Sequence, residues 1–172
     1  QGSFAPWVGE MIPDLETPIL LITEVGKEEE AITRLSRVGY DNTQGYLADG
    51  MKSWEAAGKE VDTINRITAE ELEQKMNQDI VIIDVRKKSE FDSEHIKGVV
   101  NVPLNQINQH LEKFPKEQEF VLHCAGGYRS MIAASILQQR GWSQLTDVIG
   151  GFKSIKETTI PVTAYVCPST LL

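Results

Sequence analysis

Cys124, Gly126, Gly127, Arg129 and Ser130 fall within the stretch HCAGGYRS at residues 123–130, and those residue types at that spacing can attack an anionic substrate. A cysteine is a strong nucleophile as its thiolate, which nearby positive charge and backbone N–H groups favour. The two glycines let a tight turn aim its N–H groups inward at an anion. Arg129 adds a planar cation that can fork onto a sulfonate, phosphate or carboxylate. Ala125, Tyr128 and Ser130 complete the candidate loop, with Tyr128 placed to shape access to it. The competing reading makes Cys124 a small buried hydrophobe and Arg129 a surface charge. Two glycines, an arginine and an adjoining helix start together favour the nucleophile.

Such a loop needs a strand to end at the cysteine and a helix to begin just after it. The apolar run EFVLH precedes Cys124, and SMIAASILQQR follows as a helix that begins near Ser130 and stops at Gly141 in the C′ position. Ligands of open α/β sheets bind at that kind of strand end, where the helix N-terminus adds positive potential. Upstream, Thr68 with Glu71 three residues on forms a capping box that starts a helix over ITAEELEQKM. DIVIIDV and GVVNVP are short β-branched runs suited to a sheet covered on both faces, and NQINQHLEKF is expected as a helix. Strand and helix alternate, which predicts an α/β unit with a mainly parallel sheet flanked by helices.

The chain also repeats itself. AITRLSRVGY at 31–40 resembles AASILQQRGW at 133–142, a spacing of 102, and DGMKSW at 49–54 resembles GGFKSI at 150–155, a spacing of 101. The same shift lays LITEVGKE, 21–28, on HCAGGYRS, so that Ile22 stands where Cys124 stands, Glu24 and Val25 replace the two glycines, and Lys27 replaces Arg129. Residues 1–62 are therefore expected to be a partial copy without the chemistry, and 63–172 the complete, active one. Counterparts of residues 67–102 would precede Gln1, which leads to the expectation of a protein longer at its amino end. The KEEE run at 27–30 reads as a solvated first helical turn.

A net charge of −8 disfavours a general nucleic-acid binder, which needs clustered Lys and Arg. With two cysteines no disulfide framework can form, and no CxxC or Cys/His cluster suggests a metal. The chain shows neither an apolar run long enough for a membrane span nor a signal peptide, so a cytoplasmic location is expected.

DVRKKSEFDSEHIKGVVNVP at 84–103, followed by HCAGGYRS, resembles the rhodanese domain family: D-x-R, then E-F, then H-I-x-G-A-x-N-I-P, then the loop C-x-x-G-x-R. The resemblance runs over about residues 64–157, and Glu94, Lys97 and Val99 depart from the pattern in the strand connection, outside the loop. It implies a sulfurtransferase. Cys124 would take the outer sulfur of thiosulfate or a small persulfide and pass it to a thiol or cyanide, with the N–H groups of Ala125, Gly126, Gly127, Tyr128 and Arg129 holding the persulfide and Arg129 orienting the donor. Related cysteine phosphatases resemble C-x5-R, a larger cradle than the C-x4-R here.

The resemblance further implies that Asp84, Arg86 and Glu90 are structural support, with Arg86 and Glu90 pairing, and that His95 is a framework histidine. His123 adjoins the nucleophile, but successive strand residues face opposite ways, so it is not expected to act as a base. Cys167 could receive sulfur as a second thiol, although a tail cysteine is more often a bystander.

An inert copy before an active one also resembles the carboxyl-terminal part of metallo-β-lactamase/rhodanese fusions, similar to persulfide dioxygenases of sulfide detoxification. Their H-x-H-x-D-H motif is absent here, so any iron would belong to an upstream metallo-β-lactamase-like domain and no cofactor to this chain. The alternative is a persulfide carrier or docking module without turnover. An oligomer is compatible with either reading, and the tail TTIPVTAYV at 158–166 is expected to cover the partial copy.

Overall fold

The computed structural model describes residues 4–167; residues 1–3 and 168–172, the outer ends of the two expected domains, lie outside the described residues. The chain forms two compact units, Gln1–Asp62 and Thr63–Leu172. Among the described residues, no helix is long and apolar enough to cross a membrane.

In the first unit, α1 (Phe4–Met11) is followed by β1 (Ile19–Leu21), α2 (Glu28–Ser36), β2 (Thr43–Tyr46) and α3 (Met51–Ala56). β1 and β2 pair in parallel, and a small core gathers Ile19, Leu35 and Tyr40 against Phe4, Val8, Ile12, Leu21 and Val38. Glutamates 28, 29 and 30 occupy the first turn of α2, where they complement the helix dipole, and Glu30 bridges Lys27 and Arg34.

The second unit holds β3 (Asn65–Ile67), α4 (Ala69–Lys75), β4 (Val81–Asp84), α5 (Lys88–Ser93), β5 (Val100–Asn101), β6 (Phe120–His123), α6 (Tyr128–Gln139), β7 (Leu145–Val148) and α7 (Gly151–Ile155). Its sheet runs in the order β3-β7-β6-β4-β5, every pair parallel. This is the α/β architecture that the alternating pattern predicts. β6 lies at the centre and all four of its residues are buried, as expected for a strand covered on both faces. Full burial of side chains such as Phe120 and Leu122 stabilises the sheet by about 1.5–3 kcal/mol each.

α4 begins with the predicted capping box: Thr68 Oγ1 accepts the Glu71 N–H at 3.2 Å, and Glu71 Oε2 accepts the Thr68 N–H at 2.7 Å. α6 ends in a Schellman motif, with the Trp142 N–H on the Leu137 carbonyl at 3.1 Å and the Gly141 N–H on that of Gln138 at 2.9 Å. Gly141 takes φ +92° there, a value that glycine adopts without Cβ strain.

Two expectations are corrected. Leu104–Gln109 and Leu111–Lys113 form two 3-10 helices rather than one α-helix. The buried residues Leu104 and Ile107 are three apart and stack on one side at three residues per turn, and His110, at φ −133°, breaks the segment. The tail, expected to cover the partial copy, pairs inside the second unit. It runs beside residues 93–97 of the second, where Ile96 and Val162 form an antiparallel bridge. The Lys97 N–H donates to Pro161, that of Thr163 to His95 and that of Val166 to Ser93, at 2.8–2.9 Å.

Candidate active site

Cys124 lies immediately beyond the carboxyl end of β6 and is 1% exposed. The loop turns through Gly127, whose φ of +98° caps the amino end of α6. That geometry directs the Gly127 N–H onto Cys124 Sγ at 3.1 Å, while the Ser130 hydroxyl approaches the same sulfur at 3.5 Å from the first turn of α6. A donor at each position, with the positive end of a twelve-residue helix behind them, suits a sulfur that carries negative charge. Ala125 and Arg129 are half-buried, Gly127 and Ser130 buried, and Gly126 and Tyr128 exposed.

The floor of the loop is made by a second pair of glycines. The Phe152 N–H donates to the Cys124 carbonyl at 2.6 Å and the Lys153 N–H to that of Ala125 at 3.1 Å. Gly151, at φ +58°, approaches so closely that an added Cβ would stand 2.4 Å from the Cys124 oxygen. In the sequence GGFKSI marks the repeat, and its two glycines at the start of a helix beyond the next strand are also the signal for this close approach.

Arg129 is held by Glu90. Its Nη1 and Nη2 donate to the two carboxylate oxygens at 2.5 and 2.9 Å. Burial works against ionisation of Glu90, but the hydrogen bond and charge of Arg129, with the Lys87 N–H and the Arg86 charge, outweigh it and hold the carboxyl below the usual range. The Glu90 hydrogen bond in turn keeps Arg129 charged against its own desolvation.

The expected Arg86–Glu90 pair is therefore replaced by different partners. Arg86 Nε and Nη2 donate to Asp84 Oδ2 at 2.8 and 2.6 Å, and Nη2 also donates to the Glu94 carbonyl at 2.8 Å. Asp84 ends β4 two residues before Arg86, near enough to receive the guanidinium directly, and this leaves Glu90 on α5 for Arg129. The Arg86 guanidinium also lies 3.9 Å from the centre of the Phe152 ring, a cation–π contact that links the β4 turn to the floor of the loop.

His95 stacks on Phe91 with ring centroids 3.8 Å apart, and its Nδ1 lies 2.7 Å from the Phe91 carbonyl. The ring of His123 packs on Phe152 and places Nε2 3.8 Å from Asp84. Its desolvation pushes the imidazole pKa down and outweighs the opposing pull of Asp84. Cys167 is exposed, one residue beyond the Val166 contact with Ser93.

A parallel sheet with a cysteine at the end of its central strand, cupped by N–H and O–H donors, makes a loop with the geometry to hold an anion. Residues 68–158, more than half of the chain, match the family described as rhodanese-like domain, and the chain belongs to that family. It is 32% identical over 93 residues to the thiosulfate sulfurtransferase GlpE of Coxiella burnetii, covering 54% of this chain and 85% of that protein. It is 26% identical over 103 residues to a sulfurtransferase of Allochromatium vinosum, covering 59% of this chain and 96% of that one. The match to the putative sulfur carrier protein YrkF of Bacillus subtilis, 29% identical over 104 residues, covers 59% of this chain but only 56% of that protein. Among solved structures, a rhodanese-like domain protein from Staphylococcus aureus matches 60% of this chain and 100% of its own at a TM-score of 0.54 and 26% identity. A thiosulfate sulfurtransferase from Pseudomonas aeruginosa covers 95% of this chain and 36% of its own at a TM-score of 0.52; at 20% identity that likeness is one of fold alone.

Proposed function

We propose that the second unit is a sulfurtransferase in which Cys124 carries the sulfur. The Cys124 thiolate attacks the outer sulfur of thiosulfate, the S–S bond breaks, and sulfite leaves with the bonding pair, so that Cys124 becomes a persulfide anion. A thiolate or cyanide then attacks the terminal sulfur, leaving as a persulfide or thiocyanate and restoring the thiolate. This is covalent, two-step chemistry. The observation that carries the reading is the pair of donors on Cys124 Sγ, from the Gly127 N–H and the Ser130 hydroxyl. The near-complete burial of Cys124 supports a slender donor over a bulky aryl phosphate.

Steady-state turnover with thiosulfate and cyanide tests this. Thiocyanate should form in the wild type and not in Cys124→Ser, and no phosphate should leave an aryl phosphate. The relative described as a putative sulfur carrier motivates the alternative, a persulfide that is loaded but released only to a protein partner. Loading without turnover on any small acceptor would select that alternative.

The first unit reads as an inert copy of the same design. Its order β1-α2-β2-α3 parallels β6-α6-β7-α7, and Tyr40 and Gly39 make the Schellman bonds to Leu35 and Ser36 that Trp142 and Gly141 make to Leu137 and Gln138. Membership of a larger sulfide-detoxifying fusion rests on the sequence resemblance, and no residue of this chain is assigned to its iron.

A further inference from the structure

Arg66 stands beside the loop and has no part in the chemistry above. It lies on β3 in register with Asp147 of β7, which is itself in register with Leu122 of β6, and the three strands run parallel. Arg66 Nε donates to Asp147 Oδ2 at 3.1 Å. The Asp147 side chain is fully buried, whereas that of Arg66 is 41% exposed. One bond from Nε therefore pins the guanidinium by its inner edge. Both Nη groups are left without a hydrogen bond among the described residues.

The outer end of the guanidinium adjoins the loop. A Cβ added to Gly127 would stand 3.8 Å from Arg66 Nη2 and 3.8 Å from the Gly150 N. The Gly127 N–H is the group that donates to Cys124 Sγ at 3.1 Å. These steps keep Nη2 within about 10 Å of the sulfur, a gap that thiosulfate bridges when its outer sulfur touches Sγ and one of its oxygens accepts an Nη–H. Arg129 is not available in this way, because both of its Nη groups are on Glu90 and its side chain is 13% exposed. Asp147 is buried, so an anion arriving from solvent meets the Arg66 guanidinium first.

We propose that Arg66 receives the anionic end of the sulfur donor, and so selects donors that carry a sulfonate or carboxylate over neutral ones. The proposal rests on Cys124 carrying the sulfur, but its test needs no sulfur donor. The experiment compares alkylation of Cys124 by iodoacetate, an anion, and by iodoacetamide, its neutral counterpart, at about pH 8 in a Cys167→Ser background. Both reagents react with the thiolate, so a change in thiolate fraction or loop geometry cancels in the ratio of the two rates, whereas loss of a nearby cation does not. Arg66→Gln should lower the iodoacetate/iodoacetamide ratio by about threefold or more. Because that variant also bares the Asp147 charge, the double variant with Asp147→Asn is measured beside it, and its ratio should still fall by about twofold or more.

An unchanged ratio in folded Arg66→Gln overturns the proposal. So does a wild-type ratio in the double variant, which would make the effect that of the bared carboxylate. Should neither variant fold, the Arg66 Nε–H resonance is followed as thiosulfate is added to the protein carrying Cys124→Ser and Cys167→Ser. It should shift and saturate, and an unmoved resonance overturns the proposal. Absence of thiocyanate formation by the wild type, with the ratio still falling as stated, would count against the sulfurtransferase reading and leave Arg66 as the anion-receiving residue beside Cys124.

Discussion

Arg129, in the first turn of α6, grips both carboxylate oxygens of Glu90 on α5. The residue expected to reach out to a donor is thus tied at both nitrogens to the neighbouring helix, and the loop between Cys124 and α6 is anchored from outside. A planar fork on a carboxylate fixes orientation as well as charge, and lysine cannot reproduce it. Arg129→Lys should lower kcat/KM for thiosulfate by roughly tenfold, while stability falls by no more than about 1 kcal/mol because Glu90 is partly exposed. Steady-state kinetics and urea unfolding on the same variant separate the two effects.

The same pair has a pH signature. Glu90 titrates lower in the fold than in the unfolded chain, so its stabilisation is present above the unfolded carboxylate value of about 4.3 and is lost as pH falls through the folded one. Glu90→Gln should remove that share of the acid-induced loss, seen as a shallower fall of Tm with pH below about 4.3.

His123 gives a second window at higher pH. Its folded pKa is depressed by burial, so its stabilising contribution is present above about pH 6.5 and is lost as pH falls below that value and the unfolded chain takes up the proton. The wild type should lose Tm between about pH 6.5 and pH 5, and His123→Phe should flatten that part of the curve. An equal slope in both proteins would contradict a buried neutral imidazole.

Asp84 and Arg86 are both buried, so removing either leaves an uncompensated charge or an unpaired carboxylate. Arg86→Gln is expected to cost about 3–5 kcal/mol, measured by urea unfolding, which is far more than any change at the Arg129–Glu90 pair.

The glycines of the site separate sharply. An added Cβ on Gly126 would meet nothing within 4 Å, whereas on Gly151 it would meet the Cys124 and Ala125 backbones at 2.4 and 3.0 Å, at a φ of +58°. Gly126→Ala should change stability by less than about 0.5 kcal/mol. Gly151→Ala should cost about 2 kcal/mol or more and displace the Cys124 carbonyl. Thermal unfolding together with thiosulfate turnover checks the contrast.

These contrasts also mark what the sequence could reveal. The strand end, the loop and the α6 stop were legible because each is local: an apolar run, a pair of glycines and a Gly-Trp step act within a few residues of themselves. The parallel sheet followed from the alternation of such segments. The partners of Arg86 and Glu90 were not legible, because a spacing of four after the strand suggests that the two pair, whereas the fold gives Asp84 to Arg86 and Arg129 of α6 to Glu90. Asp147 was missed for the same reason. It looks like an ordinary polar residue in LTDV, and only the fold brings Arg66 of β3 against its buried carboxylate. The tail could not be assigned from its composition, since an extended segment can lie on any open backbone edge and the 93–97 segment offers one.

The central claim is that Cys124 carries sulfur, and intact mass spectrometry after incubation with thiosulfate tests it most directly. The account predicts a gain of one sulfur atom that is removed by a reducing thiol, maps to the peptide containing Cys124, and is absent from Cys124→Ser but present in Cys167→Ser. An unchanged mass in the folded wild-type protein, or an added sulfur that persists in Cys124→Ser, would contradict it.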